Sequence, residues 1–336
     1  MKIRILLVVV IALIGAAASG LFLVVQPLVR TIDSKPPQVS AARLEHHVKH
    51  LSVQLHPRSQ DQLENINLAA DYIFNELKAT GGSIDVQEVT VHGVVYKNII
   101  ARFGPSSGPV MVVGAHYDSH GDAEAAAKLA ARFTADTHTP GADDNASGVA
   151  GLLELARLLG RSAPVRSVEL VAYTLEEPPY FRTDNMGSAC HAAALSDAHR
   201  EVELMLSLEM IGYFSDEPGS QKFPVPGMSF FYPDRGNFIA LVGRIGDFIA
   251  MRRTKALMAG ATDLPVRSVN APPIVPGIDF SDHLNYWEKG FRAIMVTDTA
   301  FMRNQNYHLA GDTYDKLNYQ RMAKVVQAVY AVVQGY

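Results

Sequence analysis

The pattern of apolar and polar positions along the chain predicts an α/β fold. Helical spacing over residues 60–80 ends at Gly81 and Gly82. Further helices are predicted at Val149–Leu159, Gly187–Leu195, Asn237–Ala259, Asp282–Lys289 and Tyr319–Val333. Strand-like runs occupy Ile84–His92, Tyr96–Phe103, Val110–Ala115, Val168–Leu175, Glu203–Ile211 and Ala293–Thr297. This alternation predicts a single three-layer domain, with a mixed, largely parallel sheet between helices on both faces.

A separate apolar segment lies near the N-terminus. Ile5–Val25 carries no charge, and Lys2 and Arg4 precede it. A membrane-spanning helix needs about 20 apolar residues, whereas the apolar part of a signal peptide has about 7–15. We therefore expect an uncleaved membrane anchor, with secretion after signal cleavage as the alternative. The domain would then lie outside the cytoplasm, in the periplasm or the extracellular space.

These patterns divide the chain into an anchor or signal segment at 1–30, a linker at 31–40 and a folded domain at 41–336. Composition narrows the partners of that domain. The formal net charge is −4, without a basic block, so we do not expect nucleic acid as a partner. Cys190 is the only cysteine, which excludes an intrachain disulfide and a thiolate metal cluster.

Imidazole and carboxylate side chains follow the predicted buried strands, where ligands bind in open α/β sheets. His116 and Asp118 come directly after Val110–Ala115, and Glu176 and Glu177 end another apolar run. Three further segments supply Asp143 and Asp144, Glu209, and His308. Five separate segments thus bring metal-type ligands to one edge of the sheet.

Local spacing suggests roles for some of these residues. Residues two apart on an extended segment face the same way, so Asp118 can fix the tautomer of a metal-bound His116. The acidic residues 143–144 could simply cap the following helix. If Asp144 or Asn145 forms that cap, Asp143 remains available for a metal.

The paired glutamates point to a cation, because adjacent buried carboxylates repel each other unless they share a cation or a proton. Zinc suits nitrogen and oxygen ligands, and this number of ligands suits two ions bridged by a carboxylate. Asp143, Glu177 and Glu209, together with a hydroxide, would balance two Zn²⁺ ions. Glu176 stays outside that count and is the predicted base.

Five stretches together resemble the dizinc exopeptidase family that includes bacterial leucyl aminopeptidases and glutamate carboxypeptidase. They are Gly114–Asp118, Pro140–Gly148, Leu175–Glu177, Leu208–Gly212, and Tyr307-His308 followed by Asp312-Thr313. The resemblance implies a zinc-dependent exopeptidase acting on peptides or amino-acid derivatives, most simply an aminopeptidase. It also implies two Zn²⁺ ions per chain.

The resemblance assigns roles to the residues as well. Asp143 would bridge both ions, across a cis peptide to Asp144. His116 and Glu209 would complete one zinc site, and Glu177 and His308 the other. Glu176 would move the proton of a water held between the ions, and Tyr307 would stabilise the oxyanion.

Two departures from the family pattern leave alternatives open. Glu209 stands where the aminopeptidases usually carry Asp, so either one or two zinc ions could be bound. The loop Pro178–Asp184 replaces a short Gly-containing turn, and its Arg182 either binds a substrate carboxylate or is a solvated surface residue. A carboxypeptidase would need such an arginine, and the candidates are Arg182, Arg235, Arg252, Arg253 and Arg303.

Two other functions are compatible with parts of the pattern. A glutaminyl cyclase with one zinc shares the His-Tyr-Asp and Glu-Glu motifs, but residues 143–148 fit peptidases better. Cyclases also line their pocket with several tryptophans, and this chain has only Trp287. A non-catalytic, receptor-like protein would be expected to lose ligands or the base, and all of them are present.

Overall fold

One mixed sheet forms the centre of the protein. The computed structural model describes residue 15 and residues 20–121 and 138–336. Within these residues eight strands pair in the spatial order β1-β2-β4-β3-β5-β8-β6-β7. The strands are β1 (Ser83–Val91), β2 (Val94–Phe103), β3 (Val110–His116), β4 (Ser167–Tyr173), β5 (Val202–Glu209), β6 (Ile239–Gly243), β7 (Val266–Asn270) and β8 (Ala293–Thr297).

The four middle strands, β4, β3, β5 and β8, are parallel to one another. Every residue of β3, β4 and β8 is buried, as their mostly apolar sequences predict. Strand direction reverses on both sides, because β2 is antiparallel to β4 and β6 is antiparallel to β8. The carboxyl ends of the four parallel strands therefore meet at one edge of the sheet, which we call the C-terminal rim.

Helices cover both faces of the sheet, so the predicted three-layer α/β domain is confirmed. One face packs against α1 (Ala41–Lys49), α2 (Leu63–Lys78), α3 (Gly148–Arg161), α5 (Phe248–Ala259) and α7 (Tyr319–Gly335). The other packs against α4 (Gly187–Asp197) and α6 (His283–Glu288). Successive residues of β3 enter different cores, with Met111 and Val113 on the larger side and Val110 and Val112 on the smaller.

Short helical turns complete the described elements. They are His50–Gln54, Ala142–Ser147, Met228–Phe230, Ile245–Asp247, Ala300–Met302 and Tyr314–Lys316. Two of them belong to loops that return to the C-terminal rim. Ala142–Ser147 leads directly into α3, and Ala300–Met302 follows β8.

The prediction of one helix over Asn237–Ala259 is wrong in its first third. Ile239–Gly243 forms β6, and the helix begins only at Phe248. Five consecutive apolar residues fit a buried strand and a buried helix equally well by periodicity, so the sequence does not separate the two. Strand β7 was not predicted either, because it lies at the edge of the sheet and exposes Arg267.

The predicted anchor Ile5–Val25 lies largely outside the described residues. Its last part, residues 20–25, is helical. Across residues 20–121 and 138–336, no helix is long and apolar enough to cross a membrane.

Residues that follow the predicted anchor lie against α5. The Lys255 ammonium donates to the carbonyl oxygens of Val25 and Gln26, at 3.2 and 2.9 Å. Further along, the backbone N–H of Ile32 donates to the Ala256 carbonyl at 3.0 Å. The stretch 25–32, which the sequence divides between anchor and linker, is thus held to the domain by hydrogen bonds.

Candidate metal centre

Two groups of histidine and carboxylate side chains meet at the C-terminal rim. The first group is His116, Asp144 and Glu209, and the second is His120, Glu177 and His308. In each group the atoms that could bind a metal lie within 4.8 Å of one another. The last residues of β3 and β5, the loops after β3, β4 and β8, and the turn before α3 supply these side chains.

His116 organises the first group. It is the last residue of β3, and its Nε2 lies 3.3 Å from Asp144 Oδ1 and 3.4 Å from Glu209 Oε2. This nitrogen is buried and makes no hydrogen bond within the described part of the chain. Burial alone would lower the pKa of His116, but the charges of Glu176 and Glu209 raise this pKa well above its usual value. The carboxylates thus create a site for positive charge at Nε2.

The second group centres on Glu177. Its Oε2 lies 3.3 Å from His308 Nε2 and 3.4 Å from His120 Nδ1. The two imidazole rings stack with their centroids 4.0 Å apart. Burial alone would lower the pKa of His308, but Glu177 and Asp144 raise it to about 11. The negative charges of Glu177 and Asp144 thus favour a positive charge at His308 Nε2.

The carboxylate between the two groups belongs to Asp144. Its Oδ1 faces His116, and its Oδ2 lies 3.1 Å from His308 Nε2. The sequence assigned this position to Asp143, and the structure does not place Asp143 there. The Asp143 carboxylate instead accepts hydrogen bonds from Gly212 N at 3.0 Å and Asn304 Nδ2 at 2.9 Å.

Backbone conformation explains the difference between the two aspartates. Asp144 has non-helical dihedrals, φ −103° and ψ 93°, so consecutive side chains leave this turn in different directions. The cis peptide bond joins Asp144 to Asn145 and not Asp143 to Asp144. Asn145 acts as the cap, because its Oδ1 accepts from the N–H of Gly148, the first residue of α3, at 3.0 Å.

Asp118 connects both groups through the backbone. Its Oδ1 accepts from Glu176 N at 3.2 Å, and its Oδ2 accepts from Glu177 N at 3.0 Å. The same residue faces the far side of His116, whose Nδ1 lies 3.2 Å from the Asp118 carbonyl oxygen and 3.4 Å from its Oδ1. One buried carboxylate therefore positions a histidine of the first group and a glutamate of the second.

Asp312 positions Asp144 in a similar way, by accepting hydrogen bonds from the backbone. Its Oδ2 accepts from the Asp144 N–H at 3.0 Å, and its Oδ1 accepts from the Asp143 N–H at 3.0 Å. Burial, and then the charge of Asp143, raise the pKa of Asp312 to about 8. The turn that presents Asp144 is thus held by hydrogen bonds to its backbone.

Glu176 lies beside the first group without belonging to either. Its Oε2 is 3.8 Å from His116 Nε2, and its side chain is nearly buried. Burial, followed by the charges of Glu209 and Glu177, raises its pKa well above the usual value. Glu209 is held differently, because the Ser281 hydroxyl donates to its Oε2 at 2.8 Å.

An apolar cavity opens beside Glu209 and Tyr307. It has a volume of about 120 Å³, and its lining includes Phe238, Val275 and Met295. The Tyr307 ring stacks on His308 with centroids 3.8 Å apart. Burial, and then the charge of Asp144, raise the pKa of Tyr307, so the phenol keeps its proton.

The arginines considered for binding a substrate carboxylate all donate to groups outside the two metal groups. Arg182 Nη2 lies 2.5 Å from Asp279 Oδ1, and its guanidinium sits over the Phe280 ring. Arg235, Arg252 and Arg253 donate to the carbonyls of Asp216, Leu28 and Gly335, and Arg303 donates to Gln221 and Tyr213. Arg182 is therefore neither a plain solvated residue nor an unpaired carboxylate receptor.

Imidazole nitrogen and carboxylate oxygen are the ligands that zinc prefers in catalytic sites. Here they converge on buried atoms such as His116 Nε2, which faces three carboxylates without a hydrogen bond. The residues present therefore fit bound zinc. This centre on the C-terminal rim of an α/β sheet defines the protein as a zinc-dependent hydrolase.

Comparison with known proteins gives the family. Residues 98–333 match the model of peptidase family M28, and the chain belongs to this family. It is a zinc metallopeptidase.

The relatives include bacterial and fungal proteins. The chain is 53% identical over 310 residues to the uncharacterized protein YfbL of Escherichia coli K12, covering 92% of each chain. It is 29% identical to leucine aminopeptidase 1 of Uncinocarpus reesii, over 71% of this chain and 57% of the relative. The chain thus spans a little over half of that fungal protein.

A solved structure shows the same fold. The glutaminyl cyclase of Bacteroides thetaiotaomicron, bound to N-acetylhistamine, superposes with a TM-score of 0.66. The match covers 90% of this chain and 100% of the cyclase at 18% identity. At that identity the likeness establishes the shared fold alone.

Two members of these groups were not among the predicted metal ligands, namely Asp144, which was considered as a helix cap, and His120. A signal for it was available, because His116, Asp118 and His120 are spaced two apart. On an extended segment that spacing puts all three on one side. The predicted strand ends at Ala115 and the observed strand at His116, so His120 lies outside both.

Proposed function

We propose that the protein is an aminopeptidase that uses two zinc ions and in which Glu176 is the general base and acid. The position of Glu176 carries this proposal. Among the described residues, four carboxylates lie within 4 Å of the Nε2 atoms of His116 and His308, and three of them, Asp144, Glu177 and Glu209, belong to the metal groups. Glu176 lies within 3.8 Å of His116 and remains outside them.

His116, Asp144 and Glu209 would hold one ion, and His120, Glu177 and His308 the other, with Asp144 facing both. Bound zinc would polarise the scissile carbonyl and make water more acidic. The protein supplies the geometry, because Asp118 and Asp312 fix the backbone of Glu177 and Asp144 through hydrogen bonds.

Glu176 would move one proton through the reaction. Its carboxylate takes a proton from the attacking water as the water oxygen bonds to the carbonyl carbon. It returns that proton to the amine nitrogen as the carbon–nitrogen bond breaks, so the residue ends unchanged. The hydrogen bond from Glu176 N to Asp118 holds the residue at the mouth of the site.

Tyr307 would stabilise the charge that develops on the carbonyl oxygen. Its ring stacks on His308 of the second group, and it also lines the cavity proposed for the substrate, which supports this role. A phenolic O–H directed at a developing oxyanion is a preorganised donor of the kind that accelerates acyl transfer.

Charge and shape support an aminopeptidase over a carboxypeptidase. The carboxylates around the centre suit the α-ammonium group of a peptide, and the considered arginines are engaged elsewhere. The cavity next to Glu209 and Tyr307 is lined mostly by apolar side chains, which favours an apolar first residue. A fungal relative is named leucine aminopeptidase 1, which agrees with this choice.

The proposal is tested by assaying the full chain with leucine amide, N-acetyl-leucine amide and a peptide that begins with glutamine. We expect release of leucine from the unblocked amide, loss of activity on chelation and recovery with zinc. Glu176→Gln should keep its zinc and lose about 100-fold or more in kcat, as expected for a lost general base. Glu169→Gln is the matched control, since Glu169 is buried beside Arg102 and His191.

Several outcomes would overturn the proposal. Near-normal turnover of zinc-loaded Glu176→Gln would remove Glu176 from the chemistry. Hydrolysis of only the acetylated substrate would exclude an aminopeptidase. Pyroglutamate formation without amide hydrolysis would assign a glutaminyl cyclase.

A further inference from the structure

An exposed apolar patch lies beside the segment where the predicted anchor ends. It consists of Phe22, Leu23, Leu28, Ile245 and Ile249. Leu28 and Ile249 are 76% and 80% exposed. Clusters of exposed apolar side chains on a folded domain mark contact with a partner or a membrane.

Contacts of Arg252 connect the part of the patch in residues 22–28 with the part in residues 245–249. Its guanidinium lies 4.9 Å from the Phe22 ring and 5.7 Å from the Phe248 ring. Its Nη2 also donates to the Leu28 carbonyl at 2.8 Å. Ile249 lies three residues before Arg252 on α5, which places both on one side of the helix.

The patch lies at the edge of the sheet opposite the metal centre. Strand β6 is antiparallel to β8, with Ala240 opposite Thr297 and Val242 opposite Met295. The carboxyl end of β6 therefore lies near the beginning of β8, away from the C-terminal rim. Ile245 and Ile249 follow that end directly.

We propose that the patch rests in the headgroup and upper acyl region of a lipid bilayer, and that the metal centre faces away from it. The uncharged run Ile5–Val25 ends on this patch, since Phe22 packs against Phe248 with ring centroids 6.1 Å apart. Residues 20–25, the described end of that run, therefore lie beside the part of α5 that exposes Ile249. Arg253, four residues after Ile249 on α5, is exposed and adds a positive charge beside the patch, which favours an anionic lipid surface.

The arrangement has a consequence for access to the enzyme. With the patch on the bilayer, the mouth of the metal centre would point to the aqueous side. Peptides in solution could then reach the site without passing along the membrane surface.

Lipid contact is testable residue by residue in the full chain, reconstituted in phosphatidylcholine–phosphatidylglycerol vesicles. In a Cys190→Ser background, Ile249→Cys and Leu28→Cys would each be labelled with bimane. Leu309→Cys is the matched control, because Leu309 is also exposed and adjoins His308 at the other edge of the sheet. Phosphatidylcholine with a nitroxide at acyl carbon 5 serves as the quencher.

We expect the label at both patch positions to lose most of its fluorescence in nitroxide vesicles, and the label at Leu309→Cys to keep it. Equal loss at all three positions, or no loss at either patch position, would overturn the proposal. So would failure of the chain to float with the vesicles. Fluorescence that instead changes only with protein density in unlabelled vesicles would assign the patch to a second copy of the chain.

Discussion

Asp118→Asn should weaken zinc binding at both groups, because Asp118 positions members of each. The substitution keeps the size of the side chain but replaces one acceptor oxygen by an NH₂ group. If Oδ2 is replaced, the Glu177 N–H loses its acceptor, and if Oδ1 is replaced, the Glu176 N–H loses its acceptor. Either orientation leaves one buried N–H unsatisfied, which costs about 1–3 kcal/mol of folding free energy.

The effect on zinc follows from the same contacts. Residues that orient metal ligands contribute about 10–100-fold in metal affinity or activity. That range corresponds to about 1.4–2.7 kcal/mol of binding free energy. Asp118 orients His116 and Glu177 together, so we expect a loss within this range at each group.

Two measurements separate the effects on folding and on zinc. Thermal unfolding of the metal-free protein gives the folding cost, and competition with a chromogenic chelator gives the zinc affinity. Glu169→Gln makes the same chemical change in a buried carboxylate that contacts Arg102 and His191 instead. It should reduce stability and leave zinc affinity unchanged. An Asp118→Asn protein that binds zinc as tightly as the unmodified chain would refute the reasoning.

Three further predictions test other parts of the structure. Asp144→Asn should abolish tight zinc binding, whereas Asp143→Asn should keep it, because only the Asp144 carboxylate faces both His116 and His308. Equal zinc content in the two variants would contradict this prediction. Val275→Trp should narrow the cavity and lower kcat/KM for leucine amide more than for alanine amide, and a parallel loss for both would exclude the cavity from substrate selection. Burial, and then the charges of Arg267 and Arg252, lower the pKa of Lys255 from 10.5 to about 8. Between pH 8 and pH 10.5 the unfolded chain therefore binds more protons than the folded chain. The free energy of unfolding should rise with pH across this range by up to about 3 kcal/mol. Denaturant midpoints measured across that range should show the rise, and Lys255→Met should remove it.

The middle of the fold could be predicted from sequence because burial on both faces leaves a simple signal. Strands β3, β4 and β8 are fully buried and are mostly apolar in sequence, although β4 contains the buried Glu169. Their polar neighbours then identify the C-terminal rim, since His116 and Glu177 come where those runs end. Strands β6 and β7 gave no such signal, because β6 is a short apolar run and β7 alternates weakly.

The details of the centre depend on backbone direction, which the sequence does not specify. Asp143 and Asp144 are chemically identical neighbours, and only the dihedral angles of the turn decide which of them faces the histidines. His120 was missed for a related reason, because it lies beyond the end of β3 in a loop whose path could not be predicted. The sequence thus identifies the segments that form the site, whereas the backbone conformation of the turn at Asp143 and Asp144 determines which side chain faces the histidines.

The proposed second zinc ion depends on Glu209, because this residue stands where the related aminopeptidases usually carry the shorter Asp. The additional methylene does not separate it from the group, since its Oε2 lies 3.4 Å from His116 Nε2. Ser281 donates to that same oxygen, and the Ser281 hydroxyl lies 2.9 Å from the hydroxyl of Ser207 on β5. These hydrogen bonds restrict a flexible side chain before any metal binds and so reduce the entropy lost on binding. The longer residue is therefore held in a position to bind metal, and we infer that the first group is as well organised for zinc as the second.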